Sequence, residues 1–293
     1  MKKKGYLLAA VSAFSYGLIP LFILPVKAAK FSLDTTLFYR FFISSLFILA
    51  YLLYKKEGLG MRMKEWFIMI ILGLLYALSS EFLFLGYDYL TPGIASTLLF
   101  VYPVIVALIM LVFFKERMNL LTVVSLAITM LGVVALSIQG TTFNINFTGL
   151  FITLMSAVCY ALYMVIINTS RMPLSGVKIT FYSLFFSSMY YLGKTIFIGE
   201  TLAIPDIKLL FDFTLFAFIT TVLSISSLIY AIKLIGSTPT SIMGALEPVI
   251  AVGISVMLFH EELTLSLLTG VILIIVGVII NILAENKKAK AAG

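Results

Sequence analysis

Three ionisable side chains stand inside apolar runs: Glu247 in MGALEPVIAV, Arg40 in FYRFFISS and Glu81 in LSSEFLFLG. A charged group at the centre of a bilayer costs about 2.5–3.5 kcal/mol on insertion scales, so such residues face protein or water and mark ion or substrate paths. Glu247 lies about twelve residues from either end of the run 235–259, which at ~1.5 Å per residue puts it near the midplane of a span. Pro248 beside it removes a backbone donor and frees a carbonyl one turn earlier, the pattern of the discontinuous helices that line carrier cavities. A carboxylate there can carry a proton or pair with a substrate ammonium group; alternatively it caps the freed backbone and only holds the bend. Arg40 lies six residues in from Asp34 and Glu81 seven back from Asp88, so both come to rest about 10 Å from the same edge. At equal depth they are expected to pair, as an outer gate or as a zwitterion site. A permanent structural ion pair, or Arg40 snorkelling to the headgroups, stays open as an alternative.

Uncharged groups add contacts rather than reactions. Ser12 with Tyr16, and Ser156 with Tyr160, repeat at i and i+4, so each pair shares a helix face. These faces, with Tyr102 ahead of Pro103, could offer hydroxyl and aromatic contacts to a solute; small residues at this spacing also serve close helix packing. Cys159 is the only cysteine and His260 the only histidine, which removes a disulfide framework, a Cys/His metal site and a Ser/His triad. No cofactor and no catalytic residue is expected. The segment His260–Glu261–Glu262 reads as a solvated loop, and the thirteen methionines as packing or lipid contacts.

The elements that must hold these residues are membrane spans. Of 293 residues, 62% are hydrophobic and 11% charged, with mean hydropathy +1.15; about half apolar is usual for a globular domain. Apolar runs bounded by charges, Gly and Pro predict ten helical spans, at 5–26, 34–54, 66–88, 92–114, 119–138, 148–169, 177–198, 211–233, 236–259 and 264–284. The unbroken runs argue against a β-barrel, whose strands alternate. An N-terminal KKKGYLLAAVSAF could pass for a signal peptide, but it belongs to an internal repeat and is expected to stay. Placing both termini in the cytoplasm puts most of the twenty basic residues inside and leaves only Lys27, Lys30, Lys194 and Lys208 toward the outside. The net charge of +7 is therefore a topology signal, and no nucleic-acid partner is implied.

The repeat spans the chain. GYLLAAVSAFSYG from Gly5 matches GLFITLMSAVCYA from Gly149, FYRFFISS matches FYSLFFSS from Phe181, and YPVIVALIMLVFFKER from Tyr102 matches EPVIAVGISVMLFHEE from Glu247, with Gly132 and Gly277 at the same offset. Five spans per copy is odd, so the second copy enters the membrane inverted, as in many secondary transporters. Lys115-Glu116-Arg117 becomes His260-Glu261-Glu262 in the second copy, a loss of cations where the inverted loop lies outside. The symmetry breaks at Arg40 (Ser183), Glu81 (Ser226) and Glu247 (Tyr102).

On FYRFF, YPVIVALIMLVFFKERMN, EPVIAVGISVMLFHEELT and the two five-span copies, the sequence resembles the EamA-type branch of the drug/metabolite transporter superfamily over nearly its whole length. The resemblance implies repeats at 1–140 and 146–286 with a basic cytoplasmic tail at 287–293, spans five and ten at the periphery, and a central cavity worked by alternating access. It implies a small-molecule substrate, with amino acids or related metabolites favoured, export, a monomer or homodimer in the plasma or inner membrane, and protons as a candidate coupling ion. Small multidrug exporters of that superfamily rely on a glutamate in their first span; none lies between Met1 and Asp34, which argues against their proton-coupled drug mechanism. Sugars, nucleosides or cationic drugs remain the alternative cargo. A membrane-embedded enzyme is the rival from another class, and it would need a reactive cluster at one depth that the sequence does not show.

Overall fold

The computed structural model describes residues 2–19, 21, 32–86, 88–90, 98–116, 118–137, 147–199, 202–259 and 264–291. Among the described residues all regular structure is helical: α1 (Lys2–Gly17), α2 (Leu33–Tyr54), α3 (Met63–Gly86), α4 (Tyr102–Val112), α5 (Leu120–Ser137), α6 (Phe147–Thr169), α7 (Gly176–Ile198), α8 (Ile207–Ile235), α9 (Ser237–Gly244), α10 (Leu246–Phe259) and α11 (Leu265–Ala291). The ninth span is thus made of two helices, α9 and α10, and the chain is an all-α polytopic membrane protein of ten spans. Helices α2, α3, α6 and α8 are each long and apolar enough to cross a membrane, and α4, α5 and α11 contribute shorter apolar segments. The expected starts of the first loop and fourth span, Arg117, and the His260–Glu262 loop lie outside the described residues. At the C-terminus the helix runs on to Ala291; the Ala, Glu and Lys there are strong helix formers and give no stop signal.

Local signals start and stop the helices at matching places in the two copies. Ser32 Oγ accepts from Thr35 N at 3.3 Å to open α2, and its counterpart Ser175 Oγ accepts from Lys178 N at 3.1 Å to open α7. At the other ends, Lys56 (φ 52°) closes α2 and Gly199 (φ 78°) closes α7, both in the left-handed conformation, with Lys56 N bonded to Leu53 O and Gly199 N to Ile196 O.

Packing follows an approximate twofold. α1 packs on α8 as α6 packs on α3; α3 packs on α7 as α8 packs on α2; α4 packs on α6 as α10 packs on α1; α2 lies on α7, α4 on α9 and α5 on α11. Exchanging the copies maps this set of pairs onto itself, so the halves are interleaved rather than side by side. Single contacts obey the same exchange. Ser224 Oγ donates to Ser12 O at 3.1 Å, and the mated pair is bonded with the donor on the other helix, Ser156 Oγ donating to Ser79 O at 2.6 Å. A Cβ on Gly132 would stand 2.8 Å from Gly270 O, and one on Gly277 2.9 Å from Ser125 O, which is why α5 and α11 can approach so closely.

Candidate functional site

The ninth span breaks one turn before Pro248. α9 ends at Gly244, Ala245 takes φ −62° and ψ −7°, and α10 opens at Leu246 with Glu247 in its first turn. Pro248 costs nothing there, because first-turn N–H groups have no intrahelical acceptor, and the positive end of the helix favours the Glu247 carboxylate. The fourth span repeats the device: α4 opens at Tyr102 with Pro103 in its first turn. The two unequal counterparts, Tyr102 and Glu247, come together at Gly244. Tyr102 Oη fills the place a Gly244 side chain would take, 1.8 Å from a Cβ built there, and Glu247 Oε1 is 3.9 Å from the same point. Glu247 is 8% exposed, and among the described residues no cation or hydrogen-bond donor engages its carboxylate.

Around this point stands a tyrosine cluster drawn from both copies. Tyr160 meets Tyr102 edge-on at 4.8 Å between centroids, Tyr76 lies 6.5 Å from Tyr160 and 5.3 Å from Tyr163, and Phe41 packs on Tyr76 at 5.3 Å. Half-buried Tyr16 lies within electrostatic reach of the Tyr76, Tyr102, Tyr160 and Tyr163 hydroxyls. Its neighbour Gly17 abuts the backbone of Glu247: a Cβ there would be 2.9 Å from Glu247 O. Tyr16 also meets Arg40, whose Cζ is 5.5 Å from the Tyr16 ring and 4.8 Å from that of Phe216. The expected group of Glu247, Tyr102, Tyr160, Tyr16 and Arg40 is therefore contiguous.

One expectation is corrected. Arg40 and Glu81 do not pair. Arg40 Nε donates to Thr221 Oγ1 at 2.7 Å, whereas Glu81 Oε1 takes Lys194 Nζ at 2.7 Å and Glu81 Oε2 accepts from Tyr190 Oη at 2.6 Å. Lys194 also bridges to Asp34 Oδ1 at 2.9 Å, so this ion cluster ties one end of α2 and α3 to the end of α7. Equal depth fixed the level of Arg40 and Glu81 but not their rotation about the helix axes. Ser12 and Ser156 are both hydrogen-bonded within the α1–α8 and α6–α3 contacts.

Other contributors gave no sign in the sequence. Tyr76 and Tyr163 look like ordinary apolar-span tyrosines, and Thr221 sits where α8 loosens into a π-turn, Phe218–Leu223. That turn is a one-residue insertion relative to α3. Before it, Ser44 Oγ donates to Ala217 O as its mate Ser187 Oγ donates to Gly73 O, with the two acceptors 144 residues apart; after it, Ser79 and Ser224 are 145 apart. Single-residue π-turns of this kind are common at functional sites.

Comparison with known proteins agrees with this architecture. The model of a family described as the EamA-like transporter family matches twice, over residues 3–138 and 147–283. The chain is 28% identical over 249 residues to the uncharacterized transporter YvbV of Bacillus subtilis (strain 168), covering 80% of this chain and 78% of that one. It is 27% identical over 188 residues to an uncharacterized transporter of Clostridium kluyveri, covering 60% and 58%. One solved structure, titled only as the crystal structure of a protein, shares the fold at TM-score 0.79 with 17% identity, over 95% of this chain and 98% of the other.

Proposed function

This chain belongs to the EamA-like transporter family, and from that premise we propose that it is a secondary carrier of small organic solutes, with amino acids and related metabolites the favoured cargo and export the direction. The observation that carries the reading is Glu247: a carboxyl group at a helix break in the middle of a span, without a cation partner among the described residues, beside Tyr102 and Tyr160 from the first and second copies. A group so placed can exchange a proton or hold a substrate ammonium, and a break between two helices gives backbone that can rearrange as access alternates. The carrier works by swapping the conformations of its two repeats, 1–140 and 146–286, driven by a proton gradient or by the solute gradient itself. It acts as a monomer or homodimer in the plasma or inner membrane, with the N-terminus and the basic residues of 287–293 in the cytoplasm.

The test is a thermal-shift screen of the purified protein against amino acids, nucleosides, sugars and cationic drugs, followed by flux in proteoliposomes, with Glu247→Gln beside the parent. A stabilising solute whose effect and whose flux disappear in Glu247→Gln supports the reading. Flux in the variant at the parental rate, with the parental pH dependence, removes Glu247 from both the proton and the substrate role.

A further inference from the structure

The two copies differ most, chemically, at two neighbouring places. Arg40 stands where the second copy has Ser183, and the π-turn of α8 adds one residue where α3 is regular. These two departures touch: Arg40 Nε donates to Thr221 Oγ1 inside the π-turn. A buried arginine in lipid-embedded protein is costly unless its donors are met. Here they are not all met. Arg40 is 2% exposed, yet among the described residues its Nη2 has no hydrogen-bond partner and no carboxylate lies within ion-pair distance of it. The nearby carboxylates Asp34 and Glu81 are already occupied by Lys194 and Tyr190. What surrounds the guanidinium is aromatic: Tyr16, Phe41 and Phe216 within 4.8–5.6 Å of Cζ. Anchored at Nε and unsatisfied at Nη2, the planar guanidinium keeps a buried donor that a carboxylate would satisfy.

Resting on the carrier reading above, we infer that Arg40 is the receptor for the carboxylate of the transported solute and that Glu247 receives its ammonium group. The cargo is then a zwitterion, bound with its two charges toward opposite ends of the tyrosine cluster. The arrangement gives a role to a guanidinium and a carboxyl group that no opposite charge meets among the described residues: paired with each other they would leave nothing for a ligand to engage. It also separates the zwitterion from its halves. An amine lacking the carboxylate leaves Nη2 unmet, and an acid lacking the ammonium leaves Glu247 unmet, each the loss of a charge-assisted bond.

The experiment uses the full-length protein in detergent and in proteoliposomes. L-alanine, L-leucine and L-phenylalanine are each titrated beside the amine that lacks the carboxylate and the acid that lacks the amino group, with sodium chloride as a control for a simple anion. The parent should bind at least one of the amino acids about ten- to a hundredfold more tightly than either half-molecule. Arg40→Lys, which keeps the buried charge and loses the fork, should weaken the amino acid about tenfold and leave the amine unchanged; Arg40→Gln should abolish the preference of amino acid over amine. Size-exclusion profiles check folding, and Arg40→Lys carries the test if Arg40→Gln does not fold. Unchanged amino-acid affinity in Arg40→Lys, or chloride competing as well as the amino acids, overturns the inference. If no amino acid binds while nucleosides, sugars or cationic drugs are moved, the inference falls and the carrier reading stands; if nothing is bound or moved, both fall.

Discussion

At the residue scale, the ionisable groups divide into those whose charge is neutralised by protein and those whose charge is left open. Asp34, Glu81 and Lys194 belong to the first kind. One cation shared by two carboxylates, with Tyr190 donating to the second oxygen of Glu81, forms a network rather than an isolated surface pair, and networks that are partly shielded from water retain more of their Coulomb energy. The prediction is coupling: in a Glu81→Gln, Lys194→Met double-mutant cycle, the two losses of stability overlap by about 1 kcal/mol or more, read from denaturation in detergent. Strict additivity would mean that the cluster is solvated and holds nothing. The sequence revealed Arg40, Glu81 and Glu247 as intramembrane ions because charge in an apolar run is conspicuous. Their partners were hidden, because a linear reading gives depth along a helix and not its rotation, and because Lys194 looked like a residue at the edge of a loop.

At the element scale, the copies place the same left-handed turn at the ends of α2 and α7 but fill it differently. Gly199 is the residue that conformation favours, whereas Lys56 adopts it at φ 52° against a penalty of roughly 1 kcal/mol for a side chain in that region. Two further helix ends, Lys115 and Arg171, are also left-handed and also basic. A cation at the ends of α2, α4 and α6 has been kept at a conformational cost, as the positive-inside rule would require if these three ends share the cytoplasmic face. Lys56→Gly should therefore raise stability by about 1 kcal/mol, and Gly199→Ala should lower it by a similar amount. Thermal unfolding in one detergent compares them directly, and a destabilising Lys56→Gly would show that the side chain makes a contact worth more than the strain. The bounds of α2 and α7 were legible in sequence to within a residue. The π-turn was not: a one-residue insertion inside an even apolar run changes neither composition nor period enough to be seen.

For the whole molecule, the exchange of packing partners between copies is what an inverted duplication requires, and the offset of the matching segments already implied it. The odd number of spans per copy did more than the hydropathy of any one span, since α4, α9 and α10 are too short to be recognised as complete crossings by themselves. Inversion has a direct consequence at the mated turns. Lys56 and Gly199 occupy the same place in the two copies, so they must face opposite sides of the membrane. With Cys159 replaced by serine, single cysteines at Lys56 and Gly199 can be reacted with a membrane-impermeant maleimide in intact and permeabilised cells. Gly199→Cys should label in intact cells and Lys56→Cys only after permeabilisation. Reversed labelling would preserve the inversion and place the termini outside. Labelling of both from the same side would mean that the copies are parallel, and the alternation of access by exchange of repeat conformations would lose its structural basis.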